Sequence, residues 1–326
     1  DSGYLTRRLV DVSQDVFTTD EEVEDPGFTV YRDETELSGI GFAARIAGRY
    51  TAEPVPGYLE ADELITKEMA EQIEEDEKVK EVKIQSILST TAVDGIPCKA
   101  SGVDMSTRAL VKANEPVGVI AAQSLGEPGT QLTLDTKHGS GVAGSGAIAR
   151  GLPRVEELLE ARAPKGQAFV SPIDGVVDIN VDNNRYIVQI TPQSGDLKRI
   201  ELNGRKPSVK DGQSVKAGAT LVRKSGDKEA IKAPEDGIVE LVKDAIILVG
   251  AAKSSLRIEI PGDAEMVVKS GDSVMAGDRL TVGSLNLQDL LKYKGIEATE
   301  RYIMNDVLNV YAAQGHEISP KHLEIL

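Results

Sequence analysis

The stretch VKDGQSVKAGATL at residues 209–221 returns further along the chain as VKSGDSVMAGDRL at residues 268–280. A second motif is repeated as well, because Asp174-Gly175-Val176-Val177 is echoed by Asp236-Gly237-Ile238-Val239. Regularly spaced glycines with alternating apolar and polar residues between them indicate short strands joined by tight turns. Residues 164–284 are therefore predicted to be β-rich, built either as two modules or as one module from two halves.

The composition is that of a folded protein with an aliphatic core. Of the 326 residues, 40% are hydrophobic and 28% charged, while aromatic residues make up only 4% and Trp is absent. No apolar run approaches the roughly 20 residues of a membrane span, and no N-terminal signal pattern is present. A single cysteine, Cys98, excludes an internal disulfide and favours a reducing compartment.

The net charge restricts the classes of function. A formal charge of −16 argues against a free-standing nucleic-acid binder, because phosphates are repelled by such a field. One basic face, or membership of a larger assembly, remains compatible with this charge. The chain also lacks an initiator Met and is expected to be a fragment.

The first third of the chain mixes helical and extended patterns. Residues 1–16 show helical apolar spacing and are predicted to be a helix cut from a longer one. The acidic residues 19–38 are predicted to form a loop. Residues 62–77 are predicted to form an acidic helix with a solvated face, followed by a strand at 79–84.

Residues 116–163 are rich in glycine and small residues. The pattern predicts a helix over Val117–Ser124, a break at Gly126–Gly129 and a second short helix from about Thr130. The Gly/Ser-rich stretch 139–146 is predicted to be a mobile loop. Residues 151–166 then return to a clear amphipathic helix.

The chain becomes helical again after Leu285. Apolar residues with a 3.6-residue period lead up to Gly315, a candidate for the position after the helix end. Ser319 and Pro320 are typical of the start of a last helix. The predicted fold class is α+β and multidomain, with segments at residues 1–18, 19–115, 116–163, 164–284 and 285–326.

Several long motifs, in one order, resemble the β′ subunits of bacterial DNA-dependent RNA polymerases. They are DSGYLTRRLVDVSQDV, VGVIAAQSLGEPGTQLTLDTKH, GLPRVEELLEARAPKG and ERYIMNDVLNVYAAQGHEISPKHLEI, with IAGRYTAEPV at 46–55 also similar. The resemblance covers nearly the whole chain, more loosely in the repeat. It implies that residues 1–16 are the end of the bridge helix, that residues 117–146 hold the trigger loop, and that the β-rich segment is a jaw near downstream DNA.

The resemblance also implies roles for individual residues. In this family the trigger loop folds over the incoming nucleoside triphosphate and closes the active site. By position, Gln131 and Leu134 would face the nucleotide, with Leu134 packing on the base where the family usually has Met. His138 matches the histidine near the leaving phosphates, where it can donate a hydrogen bond or charge. Thr136 matches a threonine between them.

Two departures from the family pattern stand out. Asp135 replaces a common Arg and would repel phosphates, and Lys137 replaces a common Phe. The four cysteines that hold zinc in the family correspond here to Val23, Thr91, Cys98 and Ser101. Valine and threonine do not bind zinc in this role, so we predict that zinc is absent.

The rest of the enzyme is implied to lie outside this chain. The aspartates that bind the catalytic Mg²⁺ belong to an NADFDGD motif that is absent here, so the chain alone is expected to be inactive as a nucleotidyltransferase. The implied partners are the α, β and ω subunits, the remainder of β′, a sigma factor, the DNA template, the RNA transcript and nucleoside triphosphates. No membrane is implied, and the expected location is the cytoplasm, at the bacterial nucleoid.

Two other functions fit parts of the sequence. The lost zinc ligands and Asp135 fit a non-catalytic scaffold related to polymerase. The D-G-x-V repeat resembles the barrel-sandwich hybrid fold of lipoyl and biotinyl carriers, with Lys165 or Lys228 shortly before each motif. The lysine spacing is only approximate and Met-Lys-Met is missing, so the shared fold explains that likeness without a modification.

Overall fold

The computed structural model describes residues 2–136, 151–192, 197–224, 229–250 and 255–326. The chain divides into two compact units. The first, here called the helical unit, combines Asp1–Gly166 with Asn286–Leu326, and the second, the β unit, is Gln167–Leu285. The mixture of helices and strands agrees with the predicted α+β class, whereas the finer segment boundaries stay predictions.

The helical unit holds the helices of the described chain and four short strands. The helices are α1 (Ser2–Ser13), α2 (Glu34–Ser38), α3 (Phe42–Ile46), α4 (Lys67–Glu75), α5 (Cys98–Ser101), α6 (Val117–Thr136), α7 (Leu152–Leu159), α8 (Leu287–Lys294), α9 (Ile296–Ala312) and α10 (Pro320–Ile325). The strands are β1 (Thr18–Thr19), β2 (Phe28–Tyr31), β3 (Glu81–Ile84) and β4 (Ile96–Pro97). Strand β1 pairs in parallel with β4, and β2 pairs antiparallel with β3.

One apolar core joins both ends of the chain. Leu5 and Leu9 of α1, Val155 and Leu158 of α7, and Tyr311 of α9 belong to a single cluster of buried side chains. The predicted helices at 1–16, in the first half of 151–166 and after 285 are confirmed. Their apolar period exists because one stripe of each helix faces this shared core.

The acidic stretch 19–38 is only partly a loop. Strand β2 and helix α2 lie within it, so the predicted loop is wrong from Phe28 onward. Phe28 and Val30 are buried on the face of β2 that packs into a second core with α3 and α4. Strand β2 has only two buried apolar residues and lies between acidic stretches. Its alternation of buried and exposed side chains is therefore too short to be recognised in the sequence.

Helix α4 confirms the acidic helix in a shorter form. Arg32 donates hydrogen bonds to the carbonyl oxygens of Ile73 and Glu74, at 2.9 Å and 2.8 Å. The Arg32 guanidinium thus satisfies carbonyl groups in the last turn of α4, which has no basic residue of its own in that turn. The strand predicted next to it is confirmed as β3.

The β unit consists of two modules, one nested in the other. Its strands are β5 (Gly175–Asp182), β6 (Arg185–Thr191), β7 (Leu197–Glu201), β8 (Ser214–Val215), β9 (Thr220–Val222), β10 (Ile231–Lys232), β11 (Gly237–Val242), β12 (Ala245–Gly250), β13 (Leu256–Pro261) and β14 (Ser273–Val274). The outer module, residues 167–192 and 255–285, has the sheet order β13-β6-β5-β14. The inner module, residues 197–250, has the order β7-β12-β11-β8 and a separate pair, β9 and β10.

The sequence repeat is a repeat of backbone hydrogen bonds. Gly212 donates its N–H to Val239 O at 2.7 Å, and Gly271, at the equivalent position of the later motif, donates to Val177 O at 2.8 Å. The D-G-x-V motif at 174–177 therefore pairs with the glycine motif at 268–280. The glycine motif at 209–221 pairs with the D-G-x-V motif at 236–239. Each module has its own apolar core, which decides between the two arrangements that the sequence left open.

Candidate functional site

Helix α6 carries three of the four residues assigned to the trigger loop. Gln131, Leu134 and Thr136 lie in its last two turns, and their side chains are not among those that the structure describes. Positions 131 and 134 are three residues apart and so occupy the same side of the helix. His138 lies outside the described residues, as does the Gly/Ser-rich stretch 139–146.

The first half of α6 packs very closely on α1. A Cβ atom placed on Gly118 would collide with the carbonyl oxygen of Ser13, and one on Gly126 would collide with the side chain of Thr6. Ala122, midway between these glycines, is fully buried. The Ser13 hydroxyl donates to the Gly118 carbonyl oxygen at 2.9 Å. Small residues at every fourth position thus let the two helices approach closely enough for the Ser13 side chain of α1 to bond to the backbone of α6.

Pro128 lies inside α6 without ending it. The helix is continuous from Val117 to Thr136, so the predicted break at Gly126–Gly129 is wrong. A proline has no amide hydrogen, and the Ser124 carbonyl therefore loses its usual helical partner. The Tyr311 hydroxyl donates to the neighbouring carbonyl, Leu125 O, at 2.6 Å, and both residues are fully buried.

Tyr311 is held in its protonated form. Burial raises the pKa of Tyr311 well above its ordinary value, so the hydroxyl remains a donor at all physiological pH values. Tertiary packing overrides the local preference for a break, because Leu125 and Tyr311 of this part of the core are both fully buried.

Helix α7, which follows residues 137–150, is fixed through a buried arginine. Arg154 donates to Glu157 Oε2 and Asp306 Oδ2, both at 2.6 Å, and to the Tyr302 hydroxyl at 2.9 Å. Burial opposes the charged form, but hydrogen bonds to Glu157 and Asp306 outweigh it and raise the pKa of Arg154. Since Asp306 and Tyr302 belong to α9, this cluster ties α7 to α9.

Helix α1 contacts α7 through charged side chains as well. Arg8 forms ion pairs with Glu160 and, at 3.6 Å, with Glu156. Both flanks of residues 137–150 are therefore anchored in one core, by α1 and Tyr311 on the α6 side and by α1 and Arg154 on the α7 side.

The positions that correspond to zinc ligands do not form a metal site in the described chain. Val23 and Cys98 line one cavity of about 440 Å³. Thr91 donates its hydroxyl hydrogen to Glu24 O at 2.8 Å, and Ser101 is buried at the end of α5. Burial, followed by the charge of Asp20, raises the pKa of the Cys98 thiol, which favours the form that does not bind metal.

The donor set itself does not fit zinc. One thiol, a threonine hydroxyl that already bonds a carbonyl, a serine hydroxyl and a valine cannot supply a tetrahedral zinc site. Among the described residues, no group of three or more His, Cys, Asp or Glu side chains is placed to hold a metal ion. The predicted absence of zinc stays a prediction.

Several functional contacts had no clear sequence signal. Arg154 looks like a surface residue of an amphipathic helix, yet only about 4% of it is exposed. His322 is buried in α10, and no motif in the sequence marks it. The spacing of Gly118, Ala122 and Gly126 is the one signal that could have indicated a close helix contact.

The whole chain, residues 1–326, matches the family model described as RNA polymerase Rpb1, domain 5. The chain belongs to this family. No helix in the described ranges has the length and apolar character needed to cross a membrane.

Individual relatives are bacterial proteins named DNA-directed RNA polymerase subunit beta′. The chain is 38% identical over 339 residues to that of Natranaerobius thermophilus, and 36% identical over 343 residues to that of Roseiflexus castenholzii. It is 39% identical over 334 residues to that of a Thermoanaerobacter species. Each comparison covers all of this chain and 22%, 22% and 23% of the respective relative, so the chain spans less than a quarter of their length.

Proposed function

We propose that this chain is the part of a bacterial RNA polymerase β′ subunit that closes the active site over the incoming nucleoside triphosphate during transcription. It would act in assembly with the remainder of β′, the α, β and ω subunits and a sigma factor, on template DNA and the RNA transcript. The names of the relatives and the resemblance of residues 117–138 to a trigger loop support this function.

The observation that carries the proposal is the anchoring of both flanks of residues 137–150. Helices α6 and α7 share one core with α1 and α9, through Tyr311, Arg154 and the glycine contacts. A lid needs a fixed frame at both ends, because a closing segment contributes by positioning the substrate and excluding water.

The residues assigned to the substrate follow a helical spacing. Leu134 follows Gln131 by three residues and His138 follows it by seven, a spacing that would place all three on one side of a helix if they shared one. Gln131 would contact the nucleotide through its amide, Leu134 would pack on the base, and Thr136 would lie between them and the phosphates. His138 would donate a hydrogen bond or a proton to the developing pyrophosphate.

Metal chemistry would come from elsewhere in the polymerase. Mg²⁺, when bound by residues outside this chain, would activate the RNA 3′-hydroxyl and neutralise phosphate charge. Asp135 opposes any phosphate contact at its own position, because a carboxylate repels the triphosphate.

The test is single-nucleotide addition in an assembled polymerase whose β′ subunit carries this segment. His138→Ala should slow the chemical step by about 10²-fold, the lower end for an acid–base group. The rate of the first addition after rapid mixing is measured at saturating nucleoside triphosphate.

His316→Ala is the matched control, because it removes the same side chain from outside the lid. An unchanged rate with His138→Ala would contradict the catalytic lid and favour the non-catalytic scaffold. The carrier function is tested separately by intact mass, since lipoylation or biotinylation at Lys165 or Lys228 adds a discrete increment.

A further inference from the structure

Helix α6 joins a buried anchor to the positions assigned to the nucleotide. Leu125 is fully buried in the core of the helical unit, and Gln131 and Leu134 follow it by six and nine residues on the same helix. With the rise of an α-helix, position 134 lies about 13 Å along the axis from Leu125. A bend of about 10° at Leu125 would therefore move position 134 sideways by about 2 Å.

Pro128 makes this part of α6 easier to bend. In a regular α-helix the carbonyl oxygen of Ser124 would accept from the amide of residue 128, but proline has no amide hydrogen. Prolines are also the commonest cause of kinks inside helices. The turn that contains Leu125 thus has a weaker restraint of its own, and contacts from outside the helix weigh more in setting its direction.

The Tyr311 hydroxyl supplies such a contact at this turn. It donates to Leu125 O at 2.6 Å, a short distance for a bond between two oxygens, and its ring is fully buried. The backbone carbonyl of Tyr311 accepts from the amides of Gln314 and His316, both at 3.0 Å. The hydroxyl therefore reaches α6 from a well-bonded end of α9, and it restrains the carbonyl next to the one that Pro128 deprives of its helical donor.

Helix α9 is itself fixed independently of α6. Arg301 of α9 donates to Glu34 of α2 at 3.2 Å, and Arg154 of α7 donates to Asp306 of α9 at 2.6 Å. Two other helices thus hold α9 in place, which makes it a support against which α6 can be positioned.

We propose that Tyr311 is a positioning residue of the nucleotide site, whose hydroxyl sets the direction of α6 at Pro128 and so the place of Gln131 and Leu134. This role rests on the proposed function, because those two positions matter to the rate only if they contact the nucleotide. Tyr311 acts through the helix and does not itself touch the substrate. A misplacement of about 1 Å can cost about 10²-fold in rate, so a partial loss of the restraint should be measurable.

The experiment measures single-nucleotide addition in an assembled polymerase whose β′ subunit carries this segment. Tyr311→Phe removes the hydroxyl and keeps the ring. The rate constant at saturating nucleoside triphosphate should fall by about 2- to 10-fold, the factor that one net hydrogen bond contributes. The rate constant of the first addition does not depend on how much of the enzyme is active, so a partly unfolded variant does not imitate the effect.

Tyr58→Phe is the matched control. Its hydroxyl donates to Asp76 Oδ2 at 3.1 Å beside the second core, away from α6. The substitution removes a tyrosine hydroxyl bond from the same unit and should leave the rate unchanged. An equal loss of rate in Tyr58→Phe would overturn the positioning role.

A double-mutant cycle with Pro128→Ala separates positioning from a merely structural role. Alanine restores an amide donor for the Ser124 carbonyl, so α6 no longer relies on the hydroxyl to the same extent. Tyr311→Phe should then cost less in the Pro128→Ala background than in the wild type. Equal costs in the two backgrounds would overturn the proposal, as would an unchanged rate in Tyr311→Phe.

His138→Ala, measured in the same assay, keeps the two roles apart. A slow His138→Ala enzyme beside a normal Tyr311→Phe enzyme overturns the positioning role and leaves the lid in place. An unaffected His138→Ala enzyme overturns the lid, and the positioning role with it.

Discussion

The helical unit and the β unit are stabilised in different ways. In the helical unit, single side chains make contacts that occur once, such as the Tyr311 hydroxyl on Leu125 O and Arg154 on Asp306. In the β unit, one set of backbone hydrogen bonds occurs twice with different side chains around it. Substitutions should therefore be costly at particular positions of the helical unit, whereas the surface of the β unit is free to diverge.

Buried charge follows the same division. Among the described residues, the buried ionisable side chains belong to the helical unit and include Arg49, Glu324 and His322. The buried polar residues described in the β unit are Ser171, Thr281 and Ser284. The stability of the helical unit should therefore depend on the partners of its buried ionisable groups and on pH, more than the stability of the β unit does.

Removal of the Arg154 guanidinium is the strongest way to test this contrast. Arg154→Met should destabilise the helical unit by about 3–5 kcal/mol, because the buried Glu157 and the half-buried Asp306 would keep uncompensated charge. The free energy of opening is measured by amide hydrogen exchange of peptides from α7 and α9. Arg185→Met removes an exposed ion pair of the β unit and should change exchange by less than about 1 kcal/mol.

Acid should act on the helical unit through His322. Burial, followed by the charge of Lys321, lowers the pKa of His322 from 6.5 to about 4. The unfolded chain therefore takes up a proton first as the pH falls below 6.5, and stability falls until about pH 4, where the folded form is protonated too. The loss should reach roughly 3 kcal/mol across this window.

Urea unfolding between these two pH values, followed by circular dichroism, measures the effect. His322→Leu should flatten the pH dependence, since no imidazole remains to be protonated. His316→Gln is the control and should retain the slope of the wild type. A slope that survives in His322→Leu would show that another group is responsible.

The close contact of α1 with α6 gives a third test, in which two glycines should respond with opposite sign. Gly118→Ala should destabilise by about 1–3 kcal/mol, because its Cβ would meet the Ser13 carbonyl oxygen, and this exceeds the gain in helix propensity. Gly3→Ala, also helical, has open space around it and should stabilise by up to about 1 kcal/mol. Thermal unfolding of both variants measures the difference, and equal shifts would exclude a close helix contact.

Periodic and repeated features of the fold could be predicted from the sequence. The helices at residues 1–16 and after 285 follow from apolar spacing, and the β unit follows from the repeat of residues 209–221. Strand β2 could not be predicted, because Phe28 and Val30 are too few to set a period. Helix α6 continues across Pro128 beside a hydrogen bond from Tyr311 to Leu125 O, and Tyr311 lies far along the chain from that carbonyl.

The candidate site shows the same limit. Sequence motifs indicate Gln131, Leu134, Thr136 and His138 through resemblance alone, and their roles stay predictions. The frame that holds the segment depends on contacts between distant parts of the chain, such as Arg154 with Asp306. Such a contact leaves no local pattern in the sequence. An arginine can occupy the same position in the apolar period of a helix whether its side chain is buried or exposed.

The smallest effect should be the same in both β modules. Gly212 and Gly271 occupy equivalent turns with φ of +74° and +96°, and no atom lies within 4 Å of a Cβ placed on either. Replacement by Ala should therefore cost only backbone strain, about 1–2 kcal/mol in each case. Hydrogen exchange of β11 and β5, whose carbonyls accept the two glycine N–H groups, reports the cost. Equal costs would show that the turn is set by the shared backbone, while a cost confined to one module would show that its divergent side chains contribute.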